Sequence, residues 1–574
     1  MSLDFRTFQS AGRISTHIIP GAYSRIDSIK GATGLASANN GVVMGACTGG
    51  EPNVLYQFNT VAEAVATFRS GPLMDAIRLA FNPGGGINPQ RVFGMRVNNA
   101  VQGSVTLTES SDDMIKLESA DYGLYVNQIR VLLESGSNYG KKLTVQYQSD
   151  PDEVFDDIRR QSFTIQYSTG ACTMTIVNNS GAATLVTSAG GISIALADYA
   201  TVGDIATYIN SQTGFTCTAV AGQENASALE LDAVSSQDIN SSAYTAESTF
   251  QAIIDTVNNG SARITASAVN GANDRVIPDN LTVTYLTGGS EGSYTATEWT
   301  ASLVALESEN IQFISTPDSD SAVHAAIKSH CETMSSVTGK KERQFLVGSA
   351  WKSGTVDTMI TSATSAAVAL NSKFGMYVFN GGTQYDAYGT IQNYGGSYVA
   401  CMLMGVKMAL AINEPLTFKE LNLIELEWKL SESQTETLLK NGVATVNYGP
   451  NGVPRLVRQF NTYQTNDLKY NEFSAVTEML FVSRDLREYM EDQFVGRPGV
   501  AVTGGVLKGA AESRLATYED IGVFVKDPNT GQAWWNVVVS LASDTVYVDY
   551  DANITMPVNF IFVTNHFHEL VANL

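Results

Sequence analysis

Hydrophobic and polar positions change period several times along the chain, and each change marks an element. Residues 41–47 (GVVMGAC) form a short apolar run that stops at Gly49 and Gly50, as a buried strand does. Thr60 and Glu63 stand at the spacing of a capping box that opens a helix running toward Arg69, and a second helix is predicted over 73–81 after Gly71 and Pro72. Gly84, Gly85 and Gly86 make a loop, and RVFGMRV at 91–97 reads as a returning strand. Farther on, strand signals at 281–286, 311–315, 343–347 and 375–379 alternate with helical patterns at 297–307, 320–333, 355–370 and 396–410. Such alternation implies a parallel sheet covered by helices. The last region carries a long helix at 471–494 and then β-prone runs at 535–541, 545–550 and 558–563.

Between these α/β stretches the pattern turns to short alternating runs, such as 163–167 and 173–177, with one helix near 202–211. Residues 161–262 contain no Lys or Arg but eight carboxylates: Asp198, Asp204, Glu224, Glu230, Asp232, Asp238, Glu247 and Asp255. A β-rich insert with a neutral or acidic exposed face is expected there. The first thirty residues offer one β-prone run, around Ile14 to Ile19, ending at Pro20 and Gly21. A run that short buries nothing alone and needs a sheet elsewhere to join.

Composition narrows the function classes. The 574 residues carry a formal charge of −22, against the clustered Lys and Arg that phosphate backbones require. Hydrophobic residues make up 44% and charged residues 16%, a folded chain's balance and enough for several cores. No apolar run suits a secretory signal or a membrane span; the most apolar stretch, 398–412, is broken by Lys407 and reads as a buried helix. Cys47, Cys172, Cys217, Cys331 and Cys401 are odd in number and far apart, so reduced structural thiols are expected.

Candidate chemistry is weak throughout. Gly288-Gly289-Ser290-Glu291-Gly292 matches G-x-S-x-G after a strand, but no apolar helix follows at once, and a glycine turn before a helix cap is the better reading. Thr338-Gly339-Lys340 fails as a phosphate loop because Met334 replaces the first glycine and Lys341 the Ser or Thr. His566 and His568 would share one face of a strand without an evident third ligand. The insert lacks a D-x-[DN]-x-[DN]-G calcium loop. No catalytic residue, cofactor or metal is assigned.

Five segments, in order, decide between the remaining readings. They are PGAYSRIDS leading into residues 33–68; SADYGLYVNQIRVLLES at 119–135, with Gly123 and Asn127; LTGGSEGSYTATEWTASLVALE at 286–307; NGVATVNYGPNGVPRLVRQFNTY at 441–463; and DQFVGRPG at 492–499. Together they resemble contractile tail sheath proteins of myovirus-type bacteriophages. The resemblance implies an α/β multidomain protein: an α/β core with a subtilisin-like sheet-and-helix domain, an α+β C-terminal domain, a β-rich inserted outer domain, and extended N- and C-terminal arms. The expected limits are 1–30 for the N-terminal arm, 31–100 for the first part of the core, 101–280 for the insert, 281–447 for the subtilisin-like domain, 448–550 for the C-terminal domain and 551–574 for the C-terminal arm.

The resemblance also implies a structural, non-enzymatic subunit. It would polymerise with itself as a helical stack of rings around a tail tube protein, meet baseplate and neck or terminator proteins, and contract to drive the tube through the host envelope. Neither nucleic acid nor membrane insertion is implied, and the expected location is the virion tail after assembly in the host cytoplasm. In the family, terminal arms join a neighbour's sheet. Ile14, Ile18 and Ile19 on one arm, and Ile554, Val558, Phe560 and Phe562 on the other, are the expected inter-subunit contacts. A net +2 over residues 1–30 and −4 over 539–574 would help the two arms meet. The alternative class is a virion surface hydrolase or glycan-binding protein using the acidic insert; a tail-tube protein fits less well, since tube subunits are usually small β-barrels.

Overall fold

Four segments too apolar to face water on either side, Gly41–Gly45, Phe313–Ser315, Gln344–Gly348 and Gly375–Phe379, are buried at every position and lie side by side. Their sheet has eight strands in the order Pro454–Leu456, Val443–Tyr448, Gly375–Phe379, Gln344–Gly348, Phe313–Ser315, Gly41–Gly45, Val92–Arg96 and Leu55–Phe58. The six inner strands run parallel and the two edge strands antiparallel. The early and late α/β stretches thus share one sheet, joined where Gly41–Gly45 pairs with Phe313–Ser315. The structure, a computed structural model, describes residues 6–10, 13–17, 35, 39–465, 467–497, 503–542 and 545–567.

Helices cover both faces of the sheet, as a buried parallel sheet demands. Pro72–Phe81 and Gly396–Ala409 pack on one face; Ala296–Leu306, Ser321–Met334 and Val356–Leu370 pack on the other. The first two helices touch at Gly405, where a Cβ would lie 2.1 Å from the Ala80 carbonyl oxygen. Lys407, on this buried helix, is satisfied locally: its Nζ donates to the Ile412 and Glu414 carbonyls at 2.8 and 2.9 Å, closing the helix end. Thr60 caps its helix by accepting from the Glu63 N–H at 3.3 Å, while the Glu63 carboxylate accepts from Asn59, not Thr60, so the expected box is half formed.

The strand expected at 281–286 forms as Leu281–Tyr285 but does not enter the parallel sheet. It pairs antiparallel with Ile129–Ser135, in a four-stranded sheet with Lys141–Tyr147 and Glu153–Ile158. Its exposed Val283 and Tyr285 suit a sheet with one open face. This sheet, a second three-stranded one and the helix Thr249–Gly260 enclose their own core, built on Val131, Leu143, Phe250, Ile253 and Ile264. A further module over 161–247 is threaded into it, with a core of Phe163, Ile165, Met174, Leu185, Ile205 and Ile209.

The lysine- and arginine-free stretch therefore overruns the module, because Phe250, Ile253, Ile254 and Val257 on Thr249–Gly260 pack into the neighbouring core. Its carboxylates are largely occupied. Arg160 pairs with Glu230 and Asp255, Arg159 with Glu247, and Asp204 completes a capping box with Thr201. Asp232 accepts from the Thr249 and Phe250 N–H groups at 2.7 and 3.0 Å, and burial pushes its carboxyl up to about 7.

The C-terminal region packs the helices Phe473–Phe494 and Gly504–Asp520 against a hairpin of Trp534–Ala542 and Thr545–Ala552. Across the helix pair, Asp485 accepts from Arg514 Nε and Nη2 at 2.6 and 2.7 Å and from the Tyr518 hydroxyl at 2.5 Å. Among the described residues, no helix is long and apolar enough to cross a membrane.

Candidate functional site

Two regions stand out from this frame, and one of them absorbs the motifs that suggested chemistry. Glu291 of the Gly288–Gly292 stretch pairs with Arg96 at 2.7 Å and accepts from the Leu124 N–H at 3.0 Å. Arg96 is fully buried and donates also to the Gly50 and Tyr122 carbonyls, at 2.9 and 3.2 Å. Asn127 and Gly289 exchange two hydrogen bonds, 2.8 and 2.9 Å long. Gly289 has no room for a side chain, since a Cβ would stand 2.6 Å from Val126. Gly123 adopts φ +124 against the Thr48 carbonyl, a conformation that a Cβ would strain. The segments quoted at 119–135 and 286–307 thus meet in one joint between the eight-stranded sheet and the second core, and Ser290 serves there as a bridge to Val101. Thr338-Gly339-Lys340 is a turn behind the Ser321–Met334 helix, where Lys340 pairs with Glu491 at 3.5 Å.

The second region is unfinished. Among the described residues, Thr545–Ala552 has Trp534–Ala542 as its strand partner, and from Val546 to Ala552 its other edge faces no further strand. Beside that edge runs a groove of about 610 Å³, floored by Met479, Val482, Leu486 and Met490 of the long helix and walled by Val546, Val548, Tyr550 and Ala552. The period-2 pattern of the strand turns those four toward the groove and leaves Tyr547, Asp549 and Asp551 on the other face.

After the strand the chain runs back along its own subunit. Ile554 bridges to Phe524 and packs on the C-terminal core. From there to residue 567 no strand forms, and Val558, Phe560, Ile561, Phe562, Val563 and Phe567 are between 69% and 93% exposed. The run expected at 558–563 thus lacks a local partner, whereas Ile554, expected on a neighbour, is seated at home by the hydrogen bonds around it. At the other terminus, Ile14 sits opposite Gln9 in a small antiparallel pair, Arg6–Ser10 with Arg13–His17. Ile18, Ile19 and His568 lie outside the described residues, and His566 is exposed.

Comparisons with known proteins agree with one another. Residues 292–462 match the model of the phage tail sheath protein central domain. The tail sheath protein of Bacillus phage SP01 is 25% identical, over 97% of this chain and 96% of its own length. That of Staphylococcus phage Twort is 24% identical, over 86% and 89%. The fold is that of the sheath tail proteins from Desulfitobacterium hafniense and Listeria innocua, with TM-scores of 0.53 and 0.54 at 13% and 12% identity. These cover 93% and 90% of this chain and 96% and 95% of theirs. Residues 292–462 thus match the central domain of phage tail sheath proteins, and the chain is similar to such proteins along nearly its whole length.

Proposed function

We propose that the chain is the structural subunit of a contractile phage tail sheath, polymerising helically around a tail tube and contracting to drive the tube through the host envelope. The observation that carries this reading is the pairing of an open strand edge, backed by an apolar groove, with a terminal segment whose large apolar side chains are mostly exposed on their own subunit. Strand addition joins the two without dedicated chemistry. At about 0.5–1.5 kcal/mol net per bond, roughly four to six bonds give only a few kcal/mol per arm. Burying an exposed Phe adds about 1.5–3 kcal/mol. Each contact stays modest, and repetition along a helix makes the cylinder strong while leaving it able to rearrange.

In this reading Phe560 and Phe562 of one subunit, with Ile14, Ile18 and Ile19 of another, enter the groove of a third, while Val558 stays at the root of the arm. The eight-stranded sheet is the subtilisin-like core, the module over 161–247 with its neighbour is the outer domain, and that neighbour extends through Tyr285. The partners are further copies, the tube, the baseplate and the neck, in a virion tail put together in the host cytoplasm. Electron microscopy of the purified chain tests this: full-length protein forms helical tubes, and removal of residues 1–22 leaves folded monomers. Tubes of sheath length from that truncation would overturn the arm model.

A further inference from the structure

Between the last strand and the exposed tip, the chain lies on two buried carboxylates of its own subunit. The Thr555 N–H donates to Glu478 Oε2 at 3.0 Å and to the Val523 carbonyl at 3.1 Å, and its hydroxyl donates to the Gly522 carbonyl at 2.7 Å. Four residues on, the Asn559 side-chain amide donates to Glu472 Oε1 at 3.0 Å. The same oxygen receives two N–H groups of Arg458, at 2.8 and 2.6 Å. The Arg458 guanidinium in turn faces the Phe460 ring at 4.1 Å and the Phe560 ring at 5.5 Å. Glu472 and Glu478 are both fully buried, and each has one oxygen without a hydrogen-bond partner among the described residues. A buried carboxylate so short of donors holds the donors it has firmly.

The grip extends into the body. Glu472 stands at the N-terminus of the Phe473–Phe494 helix, where the helix dipole favours negative charge. Glu478 is opposed by the positive charge of Lys407, on the buried helix of the sheet core, while burial pushes its carboxyl upward. Asn413, in the turn that Lys407 closes, donates at 3.0 Å to the same Gly522 carbonyl that Thr555 uses.

We propose that Arg458, Glu472 and Glu478 are positioning residues for the C-terminal arm: they clamp Thr555 and Asn559 to the subunit, so that the arm reaching a neighbour begins at Phe560. This rests on the strand-exchange reading above. It assigns the arm's origin and its direction of departure to the body, and releasing residues 555–559 would lengthen the arm by about 17 Å. With the clamp shut, a pull on the arm is passed to the body through Glu478 and through the Gly522 carbonyl that Thr555 shares with Asn413, and is not absorbed as slack.

Nitroxide labels on the dilute full-length chain test the clamp without requiring assembly. The five native cysteines are buried, so Val558→Cys and Phe562→Cys, both at exposed positions, direct the label. The label at 558, between the clamped residues, is expected to be slow, and the label at 562 to be faster by roughly threefold or more in rotational correlation time. Asn559→Ala, a change on the strap that leaves the body intact, should bring the label at 558 close to the rate at 562. Glu472→Ala should do the same, and Glu472→Gln, which keeps an acceptor for Asn559, should restore part of the difference. Equal mobility at 558 and 562 in the native chain, or no change at 558 in Asn559→Ala, would overturn the clamp. Failure of the chain to form tubes would overturn the assembly reading and leave the clamp standing.

Discussion

The joint at Arg96 and the open edge at Val546–Ala552 are opposite solutions to the burial of backbone polar groups. At the joint the contacts close on the same chain: Arg96 donates to two carbonyls and to Glu291, and Asn127 pairs with both polar groups of Gly289. At the edge, the described residues leave a row of N–H and C=O groups and an apolar groove without cover. A finished contact of the first kind fixes domains within a subunit. An unfinished one of the second kind is stable only when another chain completes it.

The comparison breaks most sharply at Arg96. Arg96→Ala removes a fully buried cation and leaves Glu291 and two carbonyls short of a donor, at an expected cost of about 3 kcal/mol in urea unfolding. A second break on the closed side uses pH. His330 is buried and receives a hydrogen bond from Arg343, and burial with that positive neighbour lowers its pKa from 6.5 to about 4. Between those values the unfolded chain takes up a proton that the folded chain refuses, so stability is intact above pH 6.5 and falls as the pH drops toward 4. The loss is on the order of 3 kcal/mol, and His330→Asn should flatten that slope in pH-resolved thermal melts. On the open side the expectation reverses. Ile561→Ser with Phe562→Ser changes monomer stability by less than about 0.5 kcal/mol, because neither side chain is covered, yet it should shorten or abolish tubes seen by electron microscopy.

Much of the sheet was legible because its strands are apolar throughout and its helices carry clear starts. Gly375–Phe379 falls at the expected residues, and the helix expected over 355–370 forms as Val356–Leu370 behind a Thr355 cap. What escaped depends on partners distant in sequence. Leu281–Tyr285 has the composition of a strand, but which sheet it joins is decided by Ile129–Ser135, some 150 residues earlier. The helix Gly504–Asp520 was not foreseen, because its buried stripe of Leu507, Ala511, Leu515 and Tyr518 is interrupted by Arg514. That arginine belongs there only once Asp485 is opposite. The same holds for the clamp: Glu472 and Glu478 look like surface residues of a helix until the returning chain covers them. The arm itself was visible as a β-prone run, although its origin was not, since nothing local distinguishes Ile554 from Val558.

A disulfide between two subunits tests the central claim most directly. Burial pushes the thiols of Cys47, Cys217, Cys331 and Cys401 up to about 12, so introduced cysteines react ahead of them. One preparation would carry Val548→Cys in the groove and a second Phe562→Cys on the arm, mixed during assembly and then oxidised. A cross-linked dimer is expected, formed only when both variants are present in the tubes. Tubes that assemble normally from the mixture and yield no inter-chain disulfide would contradict it.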